Sequence, residues 1–454
     1  MSDVTTQEPS GSDTPLDPAA TARVGVFDDL AWRGLIAQST DLAAIRAAAV
    51  AGPLTLYCGF DPTAPSLHMG NLLQILTVRR FQLAGHRPLA LVGGATGLIG
   101  DPKESGERTL NPTDLVAEWV ARIRAQLERF FDFQSPDNAA VMVNNFDWTQ
   151  GLSTLEFLRD VGKHFSVNRM LDREAVAARL AGPGISYTEF SYQLLQSYDY
   201  LQLHQRYDCR LQTGGSDQWG NIVAGVDLVR RVTGEHVHAL TTPLVTKSDG
   251  TKFGKTESGT VWLDPGLSSP YAFFQFWLNT EDAIAGTLLR MFSFRPRLEI
   301  ETLEESLRTR PQDREAQRAL AEELTDLVHG RDERDRVDAA ARALFGQGGG
   351  TGGELTGLDA PTLDAALSQA PHAEISREEW RAGLSVADAF TRCGLVASKG
   401  AARRAIAEGG AYVSNERVTD EAAQLGDADI LPGGWILLRR GRRHIGGIRV
   451  ESNE

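Results

Sequence analysis

Apolar residues in the first half of the chain form short runs that alternate with stretches of helical spacing. The run "LTLYCGF", residues 54–60, has the length of a buried strand. Leucines and a phenylalanine then recur at the spacing of an amphipathic helix through "NLLQILTVRRFQLAG", with Gly85 at its end, and "RPLALVGG" follows as the next strand. This β-α-β order predicts a doubly wound parallel sheet of the α/β class.

Changes of pattern and composition divide the rest of the chain. "MSDVTTQEPSGSDTPLDP" is acidic and rich in Ser, Thr and Pro, "FGQGGGTGGEL" has the composition of a flexible linker, and residues 270–345 have helical periodicity. We therefore expect a disordered tail at 1–28, the α/β catalytic domain at 29–262, an α-helical domain at 263–345, a linker region at 346–380 and a small α+β domain at 381–454.

Composition and charge exclude several classes of protein. The 454 residues are 42% hydrophobic and carry a net charge of −14, so any nucleic acid must bind a local basic patch, and we expect no DNA partner. Three widely separated cysteines give neither a disulfide framework nor a cysteine-based metal site. The sequence has no apolar run of membrane-spanning length and no basic, apolar leader at its start. A cytoplasmic protein is the expectation.

The turn after the first strand carries the first candidate chemistry. "GFDPTAPSLHMGN" ends at a helix start, where unpaired N–H groups and the helix dipole attract phosphate, and His68 lies at that point. The segment contains neither a GxGxxG nor a GKT motif, so it is not a dinucleotide fingerprint or a P-loop. Ligands of doubly wound sheets bind beyond the carboxyl ends of the strands, where Cys58, Gly59 and Asp61 also fall. The alternative is that His68 is an ordinary capping residue.

A second loop concentrates positive charge. "LVTKSDGTKFGKTESGTVW", residues 244–262, places Lys247, Lys252 and Lys255 among Gly, Ser and Thr. Such a loop suits a mobile lid that closes over a polyphosphate leaving group. Lysines alone would also fit a solvated surface loop.

Five ordered motifs together resemble a known family. "HMGN" is similar to the HIGH signature and "KFGKT" to the KMSKS signature of class I aminoacyl-tRNA synthetases. "GGATGLIGDP", "FSYQLLQSYD" and "TGGSDQWGN" resemble the bacterial tyrosyl-tRNA synthetases, and the similarity runs from about Trp32 to the C-terminus. The resemblance implies a Rossmann-like catalytic domain, ATP and L-tyrosine as substrates, tRNA(Tyr) as partner and a homodimer. It also implies Mg²⁺ on the ATP phosphates rather than in a dedicated protein site.

The resemblance assigns roles to individual residues. The catalytic set that it implies is Thr63, His68, Asn71, Lys252, Lys255 and Thr256. The tyrosine-binding set is Tyr57, Asp101, Tyr192, Gln196, Asp199 and Gln218. The ATP-binding set is Cys58, Gly59, Asp61, Gly70, Lys103, Arg108, Asp217 and Lys255. Two features depart from the family pattern: Asn71 stands where HIGH ends in histidine, and "GDPKESGERTL" is about one residue short, which leaves the alignment of Lys103 and Arg108 open.

Helical spacing supports part of this assignment. Tyr192, Gln196 and Asp199 lie at i, i+4 and i+7, so a helix would place all three on one face. Burying such a face without polar partners is unfavourable, which favours a ligand site over a buried helix with tolerated polar residues.

The last domain resembles an S-four-type RNA-binding module. Lys399, Arg403 and Arg404 fall on one short predicted helix of "LSVADAFTRCGLVASKGAARRAIAEGGAYVSNERV", and "RRGRRH", residues 439–444, adds charge. Clustered cations of this kind bind RNA phosphates, although a solvated basic face is the alternative.

The chain is thus identified as a member of the tyrosyl-tRNA synthetase family. The nearest alternative is a tryptophanyl-tRNA synthetase, against which the phenol-binding pair of Tyr57 and Asp199 and the C-terminal module speak. A small-molecule adenylyltransferase would have no use for that module, and a non-catalytic RNA-binding relative would not need "KFGKT" and His68.

Overall fold

A mostly parallel sheet organises the first part of the chain. The computed structural model of the protein describes residues 18–102, 106, 109–251, 253–256, 259–345, 355–368, 370–441 and 444–451. Within these ranges the chain divides into two units, Met1–Thr260 and Val261–Glu454. The sheet of the first unit has six strands: β1 (Gln38–Ser39), β2 (Thr55–Phe60), β3 (Arg87–Val92), β4 (Val141–Asn144), β5 (Cys209–Gly215) and β6 (His238–Thr242).

The strand order of this sheet is β1-β6-β5-β2-β3-β4, with β1 antiparallel and the other strands parallel. From β2 the chain continues outward through β3 and β4, and it then returns to the other side of β2 to add β5 and β6. The direction of winding reverses between β2 and β5, and a crevice forms there beyond the carboxyl ends. The predicted doubly wound α/β fold is confirmed.

Helices cover this sheet, which explains why its central strands are continuous apolar runs. The α-helices of the unit are Pro18–Trp32, Leu42–Ala51, Met69–Leu83, Thr96–Ile99, Thr113–Leu127, Phe146–Thr149, Thr154–Glu156, Val167–Leu171, Glu174–Leu180, Tyr187–Tyr207 and Trp219–Thr233. A π-helical turn, Phe157–Val161, and 3₁₀ turns at Gly162–His164 and Ser216–Gln218 interrupt the connections. A short hairpin of β7 (Lys255–Thr256) and β8 (Gly259–Thr260) follows β6.

The predicted N-terminal tail is too long by at least eleven residues. Residues 18–28 belong to the helix Pro18–Trp32, because its apolar side has a place to pack. Phe27 is fully buried in edge-to-face contact with Phe81, with ring centroids 5.5 Å apart. Arg23 donates from Nε to the carbonyl of Ala49 at 3.0 Å. Residues 1–17 lie outside the described ranges.

The second unit begins with helices and ends with a sheet. Its first helices are Pro270–Leu278, Asp282–Phe292, Arg297–Thr309, Glu315–His329 and Arg331–Phe345, with a 3₁₀ turn at Pro311–Asp313. The later helices are Ala360–Leu367, Arg377–Ala382, Val386–Arg392 and Lys399–Ala407, with 3₁₀ turns at Asp427–Asp429 and Pro432–Gly434. The strands are β9 (His372–Ile375), β10 (Ala411–Val413), β11 (Glu416–Arg417), β12 (Trp435–Arg440) and β13 (His444–Val450), in the order β11-β10-β12-β13-β9.

The predicted linker, residues 346–380, is also corrected. Its second half holds the helix Ala360–Leu367 and β9, which pairs in parallel with β13. Asp364 accepts a hydrogen bond from the indole of Trp435 at 3.2 Å, so this helix is part of the C-terminal fold. The small domain therefore starts well before residue 381, and Asn415 ties it to the preceding helices by donating to the carbonyl of Ala343 at 2.8 Å. None of the helices in the described ranges combines the length and apolar character that crossing a membrane requires.

His86 joins three parts of the first unit through its ring. It is fully buried; its Nδ1 accepts from the amide of Leu54 at 3.0 Å, and its Nε2 lies 3.0 Å from the carbonyl of Arg23. Since Nδ1 accepts, the neutral ring carries its proton on Nε2 and donates it to that carbonyl. Burial, with the charge of Arg23 as a smaller cause, lowers the pKa of His86.

We predict that this histidine makes the protein sensitive to mild acid. Because the folded pKa is lowered, the unfolded chain binds more protons, and stability falls as the pH drops through the unfolded value of about 6.5. The change His86→Gln keeps an acceptor and a donor but cannot titrate, so the free energy of unfolding should vary less between pH 7.5 and 5. Urea unfolding across this range measures it. The exposed His236→Gln is the control, and an equal pH dependence in wild type and His86→Gln would refute the idea.

Candidate functional site

His68 begins the helix that follows β2. It is the N-cap of Met69–Leu83: its Nδ1 accepts from the amide of Gly70 at 3.0 Å, and its own amide donates to Oδ1 of Asn71 at 3.1 Å. The capping alternative is therefore structurally correct. It does not compete with a chemical role, because a ring that accepts at Nδ1 carries its proton on Nε2, which is a donor suited to phosphate. A Cβ on Gly70 would come within 2.8 Å of this ring.

The carboxylate of Asp61, near the crevice, is held by two hydroxyl donors. Asp61, just after β2, accepts from Thr96 at 2.6 Å and from the hydroxyl of Tyr192 at 2.6 Å. Thr96 in turn accepts from Nδ2 of Asn145 at 2.9 Å. These bonds connect the turn after β2, the turn after β3 and the helix Tyr187–Tyr207 in one network.

Asp199 is the buried end of the same network. Its two oxygens accept from Nδ2 of Asn145 and Nε1 of Trp148, each at 2.9 Å, and the side chain is 2% exposed. Burial raises the pKa of this carboxyl to about 7, although both hydrogen bonds act in the opposite direction. A carboxylate in this position would be stabilised by a further hydrogen bond from a donor on a ligand.

Tyr57 on β2 supplies a second polar group at this buried end. Its ring is fully buried in edge-to-face contact with Tyr200, with centroids 5.2 Å apart. Its hydroxyl has no hydrogen-bond partner among the residues that the structure describes. Burial, and secondarily the charge of Asp199, raises the pKa of Tyr57, so the hydroxyl stays protonated. An unpaired buried hydroxyl is unfavourable unless a ligand completes its bond.

Asp101 forms a second polar cluster, at the end of the turn after β3. Its carboxylate accepts from Gln218 at 2.8 Å and from Asn221 at 3.1 Å, and Asn221 also donates to Oε1 of Gln218 at 3.1 Å. The buried Oε1 of Gln196 has no hydrogen-bond partner in the described part of the chain. The three predicted helix residues do lie on one helix, Tyr187–Tyr207, with Tyr192 and Asp199 buried and Gln196 half-buried.

The remaining residues predicted for ATP line the crevice edge. Gly59 is an exposed residue within the otherwise buried strand β2, and Asp217 is exposed just after β5. Thr63 is also exposed, and its amide donates to the carbonyl of Asp61 at 2.8 Å. Burial raises the pKa of Cys58 to about 12, so it remains a neutral thiol. Cys58 lies in β2 and Asp217 comes just after β5. These are the two neighbouring strands between which the direction of winding reverses.

The lysine loop approaches the turn that carries His68. Gly254, buried and with φ of 87°, lies where a Cβ would come within 2.5 Å of Cβ of Met69, so only glycine permits this closeness. The backbone of Lys255 and Thr256 forms β7, but their side chains are outside the described part of the molecule. Lys252, Lys103 and Arg108 also lie outside the described residues.

The predicted RNA-binding cations lie on the helix Lys399–Ala407, as expected. Lys399 forms an ion pair with Asp388, whereas Arg403 and Arg404 are exposed. Arg439, expected to add surface charge, is instead 6% exposed and stacks on Tyr412, with its guanidinium 4.5 Å from the ring centroid. The two residues are cross-strand neighbours of β10 and β12, which explains the burial.

Sequence reasoning missed four of the six residues that donate to Asp61, Asp101 and Asp199 in the described part of the chain. Asn145 follows β4 directly, so the rule that ligands gather at the carboxyl ends of parallel strands would have indicated it. Asn221 stands one helical turn after Gln218. Trp148 and Thr96 carry no such signal, because only the tertiary fold brings their donors to Asp199 and Asp61.

The arrangement can bind a ligand with three kinds of chemistry. Its buried end offers a hydroxyl donor and a carboxylate acceptor, its middle offers oxygen acceptors for a cation, and its open edge offers a helix start and glycines for phosphate. Catalysis there would come from position and electrostatics, because no covalent intermediate on the enzyme is needed.

Comparison with known proteins gives two family matches. Residues 49–346 match the family described as tRNA synthetases class I (W and Y), and residues 363–445 match the tyrosine–tRNA ligase SYY-like C-terminal domain. The tyrosine–tRNA ligase of Streptomyces avermitilis is 60% identical over 427 residues, which are 94% of this chain and 99% of that protein. That of Kineococcus radiotolerans is 59% identical over 425 residues, or 94% and 98% of the two chains.

Solved structures resemble the chain as well. A C-terminally truncated mitochondrial tyrosyl-tRNA synthetase from Aspergillus nidulans superposes with a TM-score of 0.66 at 30% identity, covering 72% of this chain and 97% of that one. The corresponding protein from Coccidioides posadasii gives a TM-score of 0.62 at 29% identity, covering 70% and 93%.

We predict that Asn145 lowers the pKa of Asp199 by its hydrogen bond. The change Asn145→Ala removes one of the two donors to the carboxylate, so the pKa should rise above about 7. A carboxyl-carbon NMR titration of the labelled protein measures it. Asn221→Ala, which removes a donor to Asp101 instead, is the matched control. An Asp199 titration that is identical in Asn145→Ala and wild type would contradict this account.

Proposed function

The chain belongs to the tyrosine–tRNA ligases of the class I tRNA synthetases, and from this premise we propose how its residues share the work of the reaction. The enzyme activates L-tyrosine with ATP and transfers the tyrosyl group to the 3′ end of tRNA(Tyr). The tryptophanyl alternative is set aside, because relatives about 60% identical over nearly the whole chain are tyrosine–tRNA ligases.

The buried hydroxyl of Tyr57 is the observation that supports the choice of substrate most directly. A phenol both donates and accepts a hydrogen bond, and this pocket offers one partner for each: the Tyr57 hydroxyl for the phenol oxygen and Asp199 for its proton. Phenylalanine would leave the Tyr57 hydroxyl without a partner and Asp199 without the donor that the phenol supplies, which penalises it. Indole has a donor and no acceptor, so tryptophan would leave Tyr57 unpaired.

The ammonium and carboxylate of tyrosine meet the middle of the site. Asp101 and the unpaired Oε1 of Gln196 are acceptors for the ammonium, and the hydroxyl of Tyr192 lies beside Asp61. Gln218, which donates to Asp101, is in position to orient the reacting carboxylate. These groups hold the nucleophile and do not react themselves.

At the open edge, a carboxylate oxygen of tyrosine attacks the α-phosphorus of ATP. The new O–P bond forms as the bond to the bridging oxygen breaks, and pyrophosphate leaves with that electron pair. His68, through Nε2–H, and the start of the helix Met69–Leu83 stabilise the developing negative charge, with the lysine loop on the pyrophosphate side. Gly59 and Gly70 leave room for the nucleotide, and Cys58 and Asp217 flank its ribose.

Two further proposals concern the surroundings of the reaction. Mg²⁺ would enter bound to the ATP phosphates, whose oxygens it prefers, and would neutralise charge on the leaving group. We place the enzyme in the cytoplasm, where tRNA is charged for protein synthesis.

The substrate assignment predicts a specific pattern of pyrophosphate exchange. Tyrosine, and not tryptophan or phenylalanine, should support rapid exchange of pyrophosphate into ATP. Tyr57→Phe removes one neutral hydrogen bond to the phenol and should lower kcat/KM for tyrosine by about 2- to 10-fold, while phenylalanine is unaffected. Tyr207→Phe, on the exposed end of the helix Tyr187–Tyr207, is the control. Equal exchange with tryptophan would disprove the assignment. If the ratio of kcat/KM for tyrosine to kcat/KM for phenylalanine were the same in Tyr57→Phe as in wild type, the phenol would bind elsewhere.

We propose that the exposed arginines of the C-terminal helix bind tRNA phosphates. The double change Arg403→Ala/Arg404→Ala should weaken tRNA binding and flatten its salt dependence by roughly one unit of log–log slope for each arginine. Filter binding at several salt concentrations measures both effects, and pyrophosphate exchange should be unchanged. Arg392→Ala, which removes one positive charge from an ion pair with Glu379 in the same domain, is the control. Unaltered tRNA binding by the double variant would remove this helix from the interface.

The homodimer is proposed from an apolar stretch in the first unit. Large apolar side chains are strongly exposed there within one segment: Leu155 (79%), Leu158 (47%), Val167 (57%), Leu180 (51%) and Tyr187 (70%). Exposed apolar residues so concentrated are typical of an interface. Sedimentation should show a dimer that Leu155→Glu/Leu158→Glu dissociates, whereas Leu83→Glu, on another exposed leucine, does not. A monomeric wild type would refute the proposal.

A further inference from the structure

An ion pair is completely enclosed behind the tyrosine-binding helix. Arg179, near the end of the helix Glu174–Leu180, and Glu189, in the first turn of Tyr187–Tyr207, are 1% and 2% exposed, with Nη2 and Oε2 2.9 Å apart. A buried ion pair adds little stability over an apolar pair of similar volume, because both charges lose their hydration. Stability alone is therefore a weak reason for this pair.

The guanidinium makes contacts in three directions. Nη2 faces Glu189, Nε donates to the carbonyl of Gly184 at 2.8 Å, and Nη1 donates to the carbonyl of Gly106 at 2.8 Å. The planar fork of arginine fixes these three partners relative to one another, which a lysine or a neutral side chain cannot do.

Each contact belongs to a different part of the site. Gly106 lies in the segment that starts at Asp101, and in the sequence it stands between Lys103 and Arg108, the predicted phosphate-side cations. Gly184 lies in the turn that leads into the tyrosine-binding helix. Glu189 is one helical turn before Tyr192, on the same face. Arg179 thus links the carbonyl of Gly106 to the helix Tyr187–Tyr207.

We propose that Arg179 is a positioning residue for adenylate formation, which holds the backbone of Gly106 at a set distance from the tyrosine-binding helix. The inference rests on the proposed function and adds a residue that touches no substrate. Asp101 keeps its own donors, Gln218 and Asn221, so its place in the tyrosine site does not depend on Arg179. Loss of Arg179 should therefore impair the ATP-dependent step and spare tyrosine binding.

The test compares variants that separate charge, shape and stability. Arg179→Lys keeps the charge but loses the fork, and the rate of pyrophosphate exchange should fall roughly 10- to 100-fold, the scale of a small misplacement of reacting groups, with a raised KM for ATP. The dissociation constant of tyrosine should stay within about twofold of wild type, since its own ligands are retained. Glu189→Gln keeps an acceptor for Nη2 and should retain most of the exchange rate.

The decisive variant is Arg179→Met/Glu189→Met. An apolar pair should preserve or raise the melting temperature, but the carbonyls of Gly106 and Gly184 lose their donor, so exchange should stay as slow as in Arg179→Lys. Arg122→Met/Glu118→Met, on an exposed ion pair of the same unit, is the matched control and should behave as wild type.

The outcomes distinguish this inference from the proposed function. No tyrosine-dependent exchange by the wild type would overturn the function itself. An active wild type with equally fast exchange by Arg179→Met/Glu189→Met would overturn only the role of Arg179 and leave the pair structural. If the double variant does not fold, Arg179→Lys decides: a loss of tyrosine affinity that equals the loss of exchange rate would show general damage to the site and would also refute the proposal.

Discussion

The reversal of winding between β2 and β5 is the constraint on which the site depends. Two adjacent parallel strands whose connections leave in opposite directions open a crevice beyond their carboxyl ends. Cys58 and Tyr57 come from one of these strands, and Asp217 and Gln218 follow the other. Polar residues far apart in the sequence therefore meet at a point that is set by backbone hydrogen bonds of the sheet.

A second level of order holds the carboxylates of this crevice. Within the described residues, Asp61, Asp101 and Asp199 each accept at least two side-chain hydrogen bonds from other segments of the chain. These bonds offset part of the desolvation of buried charge and fix the oxygens before any ligand arrives. The pKa of Asp199, raised to about 7 in spite of its two donors, shows that the compensation is incomplete. We propose that this incompletely compensated carboxylate is the acceptor for the phenol proton of tyrosine.

Much of the architecture followed from local pattern, and the errors have physical causes. The order of apolar runs gave the parallel sheet, and helical spacing placed Tyr192, Gln196 and Asp199 on one helix, as the structure has them. The first residues of the helix Pro18–Trp32 were assigned to the disordered tail, because the polar composition of the N-terminal stretch gave no sign that Phe27 is buried. β9 was missed because a four-residue edge strand has almost no pattern of its own and forms only by pairing with β13. The donors Thr96 and Trp148 could not be found, since their partners are remote in sequence.

The side chain of His68 has a structural role at the start of its helix and a proposed role in the reaction. Because Nδ1 caps the helix at Gly70, the ring proton lies on Nε2, which we propose faces the phosphates of ATP. Asparagine or aspartate could begin the helix as well, but neither carries a ring donor at that reach. A substitution at His68 would therefore change the start of the helix and, under the proposed function, the reaction as well. Asn71 completes the same cap through its Oδ1, which accepts from the amide of His68, so a change at either residue would loosen the first turn of this helix.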